Sequence, residues 1–168
     1  MTVTDSTLTC SNFSTGFVNG VPNHNSTQSV TVTNSTWNNT GFTYIAESNG
    51  STASFTLAGA SIYNCGNDFL LSRSTGTTAT MDINGTSSVV KTGGYTAIAQ
   101  NGTATLNIND SASFSANTGN DFNISDVGTS NGTINMASSG TLSVGGVLFV
   151  GKNPTTTGVL NQTNGTVN

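Results

Sequence analysis

The chain has 168 residues, a net charge of −4 with only three cations, and 6% charged residues, against about 25% in an ordinary globular domain. That balance lacks the basic footprint nucleic acid needs, and no apolar run approaches the ~20 residues of a membrane-spanning helix. Thr, Ser and Asn make up nearly half of the chain, but charge is scarce and apolar residues recur at regular places, unlike a disordered chain.

From the N-terminus, "TVTDSTLT" alternates as a strand and does not read as a secretory leader. Gly16 then opens a spacing that returns at Gly41, Gly66, Gly93, Gly119 and Gly145. The interval is roughly 26 residues, a period of the kind that marks repeat architectures. Residues three and five places after an anchor are mostly apolar: Tyr44 and Ala46, Phe69 and Leu71, Thr96 and Ile98, Phe122 and Ile124, Leu148 and Val150. Such pairs share one face of a strand. About ten places before the anchors stand Val30 and Val32, Phe55 and Leu57, Met81 and Ile83, Leu106 and Ile108, Ile134 and Met136. A looser column precedes each Gly by three to five places: Phe13, Trp37, Ile62, Val89, Phe114 and Leu142. "GNDFLLSR" at Gly66 and "GNDFNISD" at Gly119 are thus one motif, two repeats apart.

Three short strands in about 26 residues fit one coil of a parallel β-solenoid. The repeat is too short for a four-stranded propeller blade of ~40–45 residues, and nothing convincing in it has helical periodicity. Residues 1–168 are therefore read as one all-β domain of six anchored coils and a partial seventh, stacked at ~4.8 Å. Asn39-Thr40, Asn64-Cys65 and Asn117-Thr118 each precede an anchor Gly, so these residues are expected to form a stacked corner ladder, with Gly supplying a positive φ.

This corner resembles that of the right-handed parallel β-helix, and the resemblance implies a right-handed coil. The final stretch, "SGTLSVGGVLFVGKNPTTTGVLNQTNGTVN" from Ser139 to Asn168, resembles the repeats of autotransporter-associated β-strand proteins and of bacterial surface proteins with PEP-type sorting signals. That resemblance implies an extracellular or cell-surface protein. Neither end carries a capping helix, so the chain reads as a segment of a longer protein or as a filament subunit that self-associates end to end.

Chemistry-bearing residues are few. Asp68 and Asp121 hold the same place in coils two apart, a separation of ~10 Å, just beyond the ~6.5–9.5 Å between the carboxyls of inverting glycosidases. Arg73, Gln100 and Asp126 each lie seven places after an anchor, so one lateral strip would hold Asp68, Arg73, Gln100, Asp121 and Asp126. Such a strip suits carbohydrate, although a solvated "GND" turn is the simpler reading. The single His24, in "VPNHNST", has no His or Cys nearby, so neither a metal site nor a cofactor is expected. Cys10 and Cys65 are about two coils apart, beyond disulfide reach, and are expected to be free and mostly buried. Twelve N-x-[ST] sequons, at Asn12, Asn25, Asn34, Asn38, Asn49, Asn84, Asn101, Asn109, Asn123, Asn131, Asn161 and Asn164, would carry glycans only if the producing cell glycosylates its surface proteins. Thr-x-Thr pairs recur but drift in phase against the anchors, which argues against an ice-binding array.

The sequence thus points to a non-catalytic structural or adhesive repeat domain: a stalk, an adhesin segment or an extracellular matrix filament, with surface glycans as partners. The alternatives are a polysaccharide-degrading or tailspike-like β-helix enzyme and an ice-binding solenoid.

Overall fold

The computed structural model describes residues 1–17, 25–116 and 118–168; His24 and Asn117 lie outside them. The described residues form a parallel β-solenoid with three sheets, no helix and roughly six turns. Each coil takes about 26 residues, the period read from the anchors. The first sheet stacks Thr2–Thr4, Thr27–Thr33, Thr52–Ala58, Thr78–Ile83, Thr103–Ile108, Asn131–Met136 and Thr157–Gln162. The second stacks Thr7–Cys10, Thr36–Asn39, Ile62–Cys65, Ser88–Lys91, Ser113–Ala116, Thr141–Val144 and Thr166–Val167. The third stacks Phe13–Ser14, Thr43–Ile45, Phe69–Leu71, Thr96–Ile98, Phe122–Ile124 and Leu148–Val150.

Inside the first sheet the sequence pattern holds throughout. Val30, Phe55, Met81, Leu106 and Ile134 are cross-strand partners, as are Val32, Leu57, Ile83, Ile108 and Met136, and all are buried. The looser column needs two corrections. Its member in the third coil is Tyr63, fully buried opposite Trp37 and Val89, whereas Ile62 is 40% exposed. Phe13 belongs to the third sheet, opposite Thr43, and Leu8 takes its place in the second. The turn after Gly41 is one residue shorter than that after Gly66, so Thr43 and Ile45, rather than Tyr44 and Ala46, are the pair aligned with Phe69 and Leu71. A one-residue slip turns every side chain to the opposite face.

An aromatic column runs up the core. Trp37 lies 4.6 Å from Phe13 and 5.5 Å from Tyr63, and Phe114 lies 5.3 Å from Phe69 and 5.6 Å from Phe122, all edge-on between ring centroids. Each such pair adds ~0.5–1.5 kcal/mol beyond area burial. A buried hydroxyl beside this column in the second coil, Thr43 Oγ1, is satisfied by the Tyr63 hydroxyl at 2.7 Å and by Asn39 Nδ2 at 2.8 Å. Burial pushes the Tyr63 phenol far above its usual range, so it stays a neutral partner.

The corner ladder is not in the register expected. Asn39 stands opposite Cys10 and Cys65, and Asn64 stacks on Asn38, to which its amide donates at 2.7 Å. Thr40 lies under Gly66 rather than under Cys65, and the Thr118 hydroxyl donates to the Gly94 carbonyl at 3.3 Å. The longer ladder runs up the outer face of the first sheet: Asn161 donates to Asn135, Asn135 to Asn107 and Asn107 to Asp82, at 2.9, 2.8 and 2.7 Å. That face also aligns Thr27, Thr52, Thr78 and Thr103 as cross-strand partners, so the Thr78 and Thr103 pairs are in register with each other, whereas Thr31 pairs with Thr56 and is out of register with them. The rank four places on changes from Thr31 and Thr56 to Asp82, Asn107 and Asn135. Both cysteines are free, Cys65 buried and Cys10 half-buried, in one column with Asn39 between them.

Candidate functional site

Each third-sheet strand from the second coil onward has three residues, and the middle one points away from the core: Tyr44, Leu70, Ala97, Asn123 and Phe149. Such a position on a solenoid is ordinarily wet. Here Leu70, Ala97 and Asn123 are buried, yet Leu70 and Ala97 are not part of the core cluster. Two rims make the difference. The residue just before each strand gives Phe42, Asp68, Tyr95, Asp121 and Val147. The second residue after each strand gives Glu47, Arg73, Gln100, Asp126 and Lys152. Between the rims lies a trough along the solenoid axis.

Over the lower coils the protein fills its own trough. Phe42 stacks on Tyr44 at 4.2 Å, and the Arg73 guanidinium lies 4.6 Å above the Tyr44 ring while pairing with Glu47. The Gln100 amide donates to the Tyr95 hydroxyl, joining the two rims. Farther along, a cavity of about 370 Å³ opens, lined by Tyr95, Gly119, Asn120, Asp121, Asp126 and Lys152. Lys152 Nζ lies 3.5 Å from both Asp121 and Asp126, and 5.2 Å from the Phe149 ring. Asn123 is fully buried, and neither its amide nitrogen nor its amide oxygen has a hydrogen-bond partner.

The strip expected from sequence is therefore split. Asp68 and Asp121 do share one rim two coils apart, with Tyr95 between them, and Asp68 Oδ1 accepts from the Tyr95 backbone N–H at 3.1 Å. Arg73 turns to Glu47, whereas Asp121 and Asp126 meet at Lys152. Sequence reasoning passed over Lys152 and Tyr95 although their offsets were legible. Lys152 follows Gly145 by seven places, as Arg73 follows Gly66, and Tyr95 follows Gly93 by two, as Asp68 follows Gly66. Glu47 was hidden by the shorter turn after Gly41.

Burial, and then the Asp126 and Asp68 charges, push the Tyr95 phenol up to about 12. An unfolded tyrosine titrates near 10. The folded state thus favours the protonated phenol, and its contribution to stability is complete below pH ~10 and lost as pH rises toward about 12. Replacing Tyr95 with Phe is expected to flatten that alkaline loss, read as Tm against pH from about 9 to 12.

Among the sequons, Asn123 is inaccessible to a glycan in the folded chain, and Asn38 and Asn84 accept hydrogen bonds from Asn64 and Asn109. Asn12, Asn25, Asn34, Asn49, Asn131, Asn161 and Asn164 are exposed, while Asn101 and Asn109 are half-buried. Among the described residues no group of three His, Cys, Asp or Glu side chains could hold a metal ion, and no helix is long and apolar enough to cross a membrane. No protein-family pattern, curated protein or solved structure matches this chain.

Proposed function

We propose that this chain is a non-catalytic adhesive spacer of a secreted or cell-surface protein. The observation that carries this reading is the continuity of the stack. Parallel ladders run through three sheets of seven, seven and six strands, around a core in which aromatic rings pack edge-on from Phe13 to Phe122. Its outer faces are kept polar by Thr, Ser and Asn, with little charge. Load applied along the axis would be shared by ladders in all three sheets. The resemblance of the stretch from Ser139 to Asn168 to bacterial surface repeats points to the same setting. Against the enzymatic alternative, Asp68 is occupied by a backbone N–H, and the space between Asp121 and Asp126 is taken by an ammonium group.

Single-molecule stretching between the chain ends tests the spacer reading. Unfolding is expected in coil-sized steps, each releasing about 26 residues or roughly 90 Å of contour. Smooth unravelling without steps would sink it. Release of new reducing ends from a polysaccharide would favour the enzyme instead.

A further inference from the structure

We propose that the cavity at the upper end of the third-sheet trough is a binding site for an uncharged saccharide unit, with the Tyr95 ring as its platform and Asp121, Asp126 and Lys152 as its hydroxyl partners. The inference gives the adhesive reading its ligand and rests on that reading.

Three observations lead there. The first is position. Elsewhere in the trough Arg73 covers Tyr44, and Gln100 reaches Tyr95, but over the fifth and sixth coils a cavity of about 370 Å³ remains. That is within the range of small-ligand clefts, about 300–1,000 Å³.

The second is Asn123. Its strand neighbours Phe122 and Ile124 belong to the core cluster, so its side chain leaves the sheet on the trough side. It is fully buried with both amide atoms unpartnered, although native proteins nearly always satisfy such groups. An amide offers a donor and an acceptor together, and a hydroxyl group answers both. Asn123 does not itself line the open cavity: its cross-strand neighbours on that face are Ala97 and Phe149, so a ligand hydroxyl reaches it by displacing a covering side chain.

The third is charge. Two carboxylates and one ammonium line the cavity, and Asp68 adds a third carboxylate on the same rim. That net negative charge disfavours uronates, phosphates and nucleic acid. A divalent cation is disfavoured because Lys152 Nζ lies 3.5 Å from both Asp121 and Asp126. The charged side chains in the lining, in turn, do not suit a purely apolar ligand. A neutral sugar meets all three conditions, with a C–H face for the aromatic ring and hydroxyls for ionic and amide partners.

The test is saturation-transfer NMR and calorimetry on the whole chain with cellotetraose, maltotetraose, chitotetraose and, as the anionic contrast, tetragalacturonate. At least one neutral tetramer is expected to bind, more than about 10-fold tighter than tetragalacturonate. Asp121→Ala and Lys152→Met should each weaken that binding about 10-fold or more with the circular-dichroism melt unchanged. Asn123→Leu separates binding from folding: the melt should hold or rise, because an unpartnered amide is removed, while affinity falls. No saturation of any neutral tetramer at about 5 mM, or binding indifferent to all three substitutions, overturns the site and leaves the spacer reading intact. Shortening of a bound tetramer would overturn the non-catalytic reading while leaving the site in place.

Discussion

Replacing Tyr63 with Ala is expected to cost about 3–5 kcal/mol, whereas replacing its neighbour Ile62 with Ser should cost less than about 0.5–1 kcal/mol. Hydropathy alone favours the reverse order. Tyr63 is fully buried, with ring centroids 5.5 Å from Trp37, 5.2 Å from Phe55 and 6.3 Å from Phe69. Its removal opens a cavity in the middle of the aromatic column, which neighbouring coils cannot close without leaving their own ladders. It also takes away a partner of the buried Thr43 hydroxyl, adding a polar term to the cavity term. Ile62 is 40% exposed and contributes through its backbone. Urea midpoints of the two variants measure the difference. A larger loss at Ile62 would mean that the second strand of this coil is slipped by one residue.

Gly66→Ala is expected to cost about 1–3 kcal/mol, because overpacking forces backbone to move. A Cβ there would stand 2.6 Å from the Thr40 carbonyl carbon and closer still to its oxygen. Gly119 opens the other copy of the same "GND" motif but needs glycine for another reason. Its φ is +74°, and nothing lies within 4 Å of a Cβ placed there. Gly119→Ala is therefore expected to cost about 1–2 kcal/mol of backbone strain, most of it recovered by Gly119→Asn, since Asn tolerates the left-handed region. Gly66→Asn should recover nothing, because contact rather than φ is the obstacle. Thermal melts of the four variants decide it, and equal behaviour at the two sites would contradict the distinct geometries.

These two glycines show how one motif in sequence can answer two demands in space. The expectation that Gly serves the corner through positive φ holds at Gly119 and Gly16 but not at Gly41, Gly66 or Gly93, where stacked turns approach too closely for a Cβ. Left-handed backbone is instead carried partly by non-glycine residues: Ala46, Ser72, Ala99 and Ser125 directly follow third-sheet strands, and Asp5, Asn34 and Asp110 stand at turns beyond the first sheet. Gly, Asn and Ser frequencies mark where a turn is, but not which residue of it takes the strained conformation.

The repeat is readable from the chain alone: its period, its three strands, the inward face of the first sheet, and the offsets that put Arg73, Gln100, Asp126 and Lys152 on one rim. Alternation within a strand is local geometry and survives any later packing. Register between coils and the burial of outward residues, by contrast, come from the folded stack. Turn lengths differ slightly from coil to coil, and backbone hydrogen bonds between neighbouring coils, rather than distance from an anchor Gly, choose which residues stack. That is why Tyr63 replaced Ile62, Asn64 stacked on Asn38, and Thr43 faced the core. Burial of Leu70, Ala97 and Asn123 on the outside of the third sheet depends on rims supplied by turns on either side. No pattern within a three-residue strand can announce such cover, because it comes from side chains beyond the strand and in neighbouring coils.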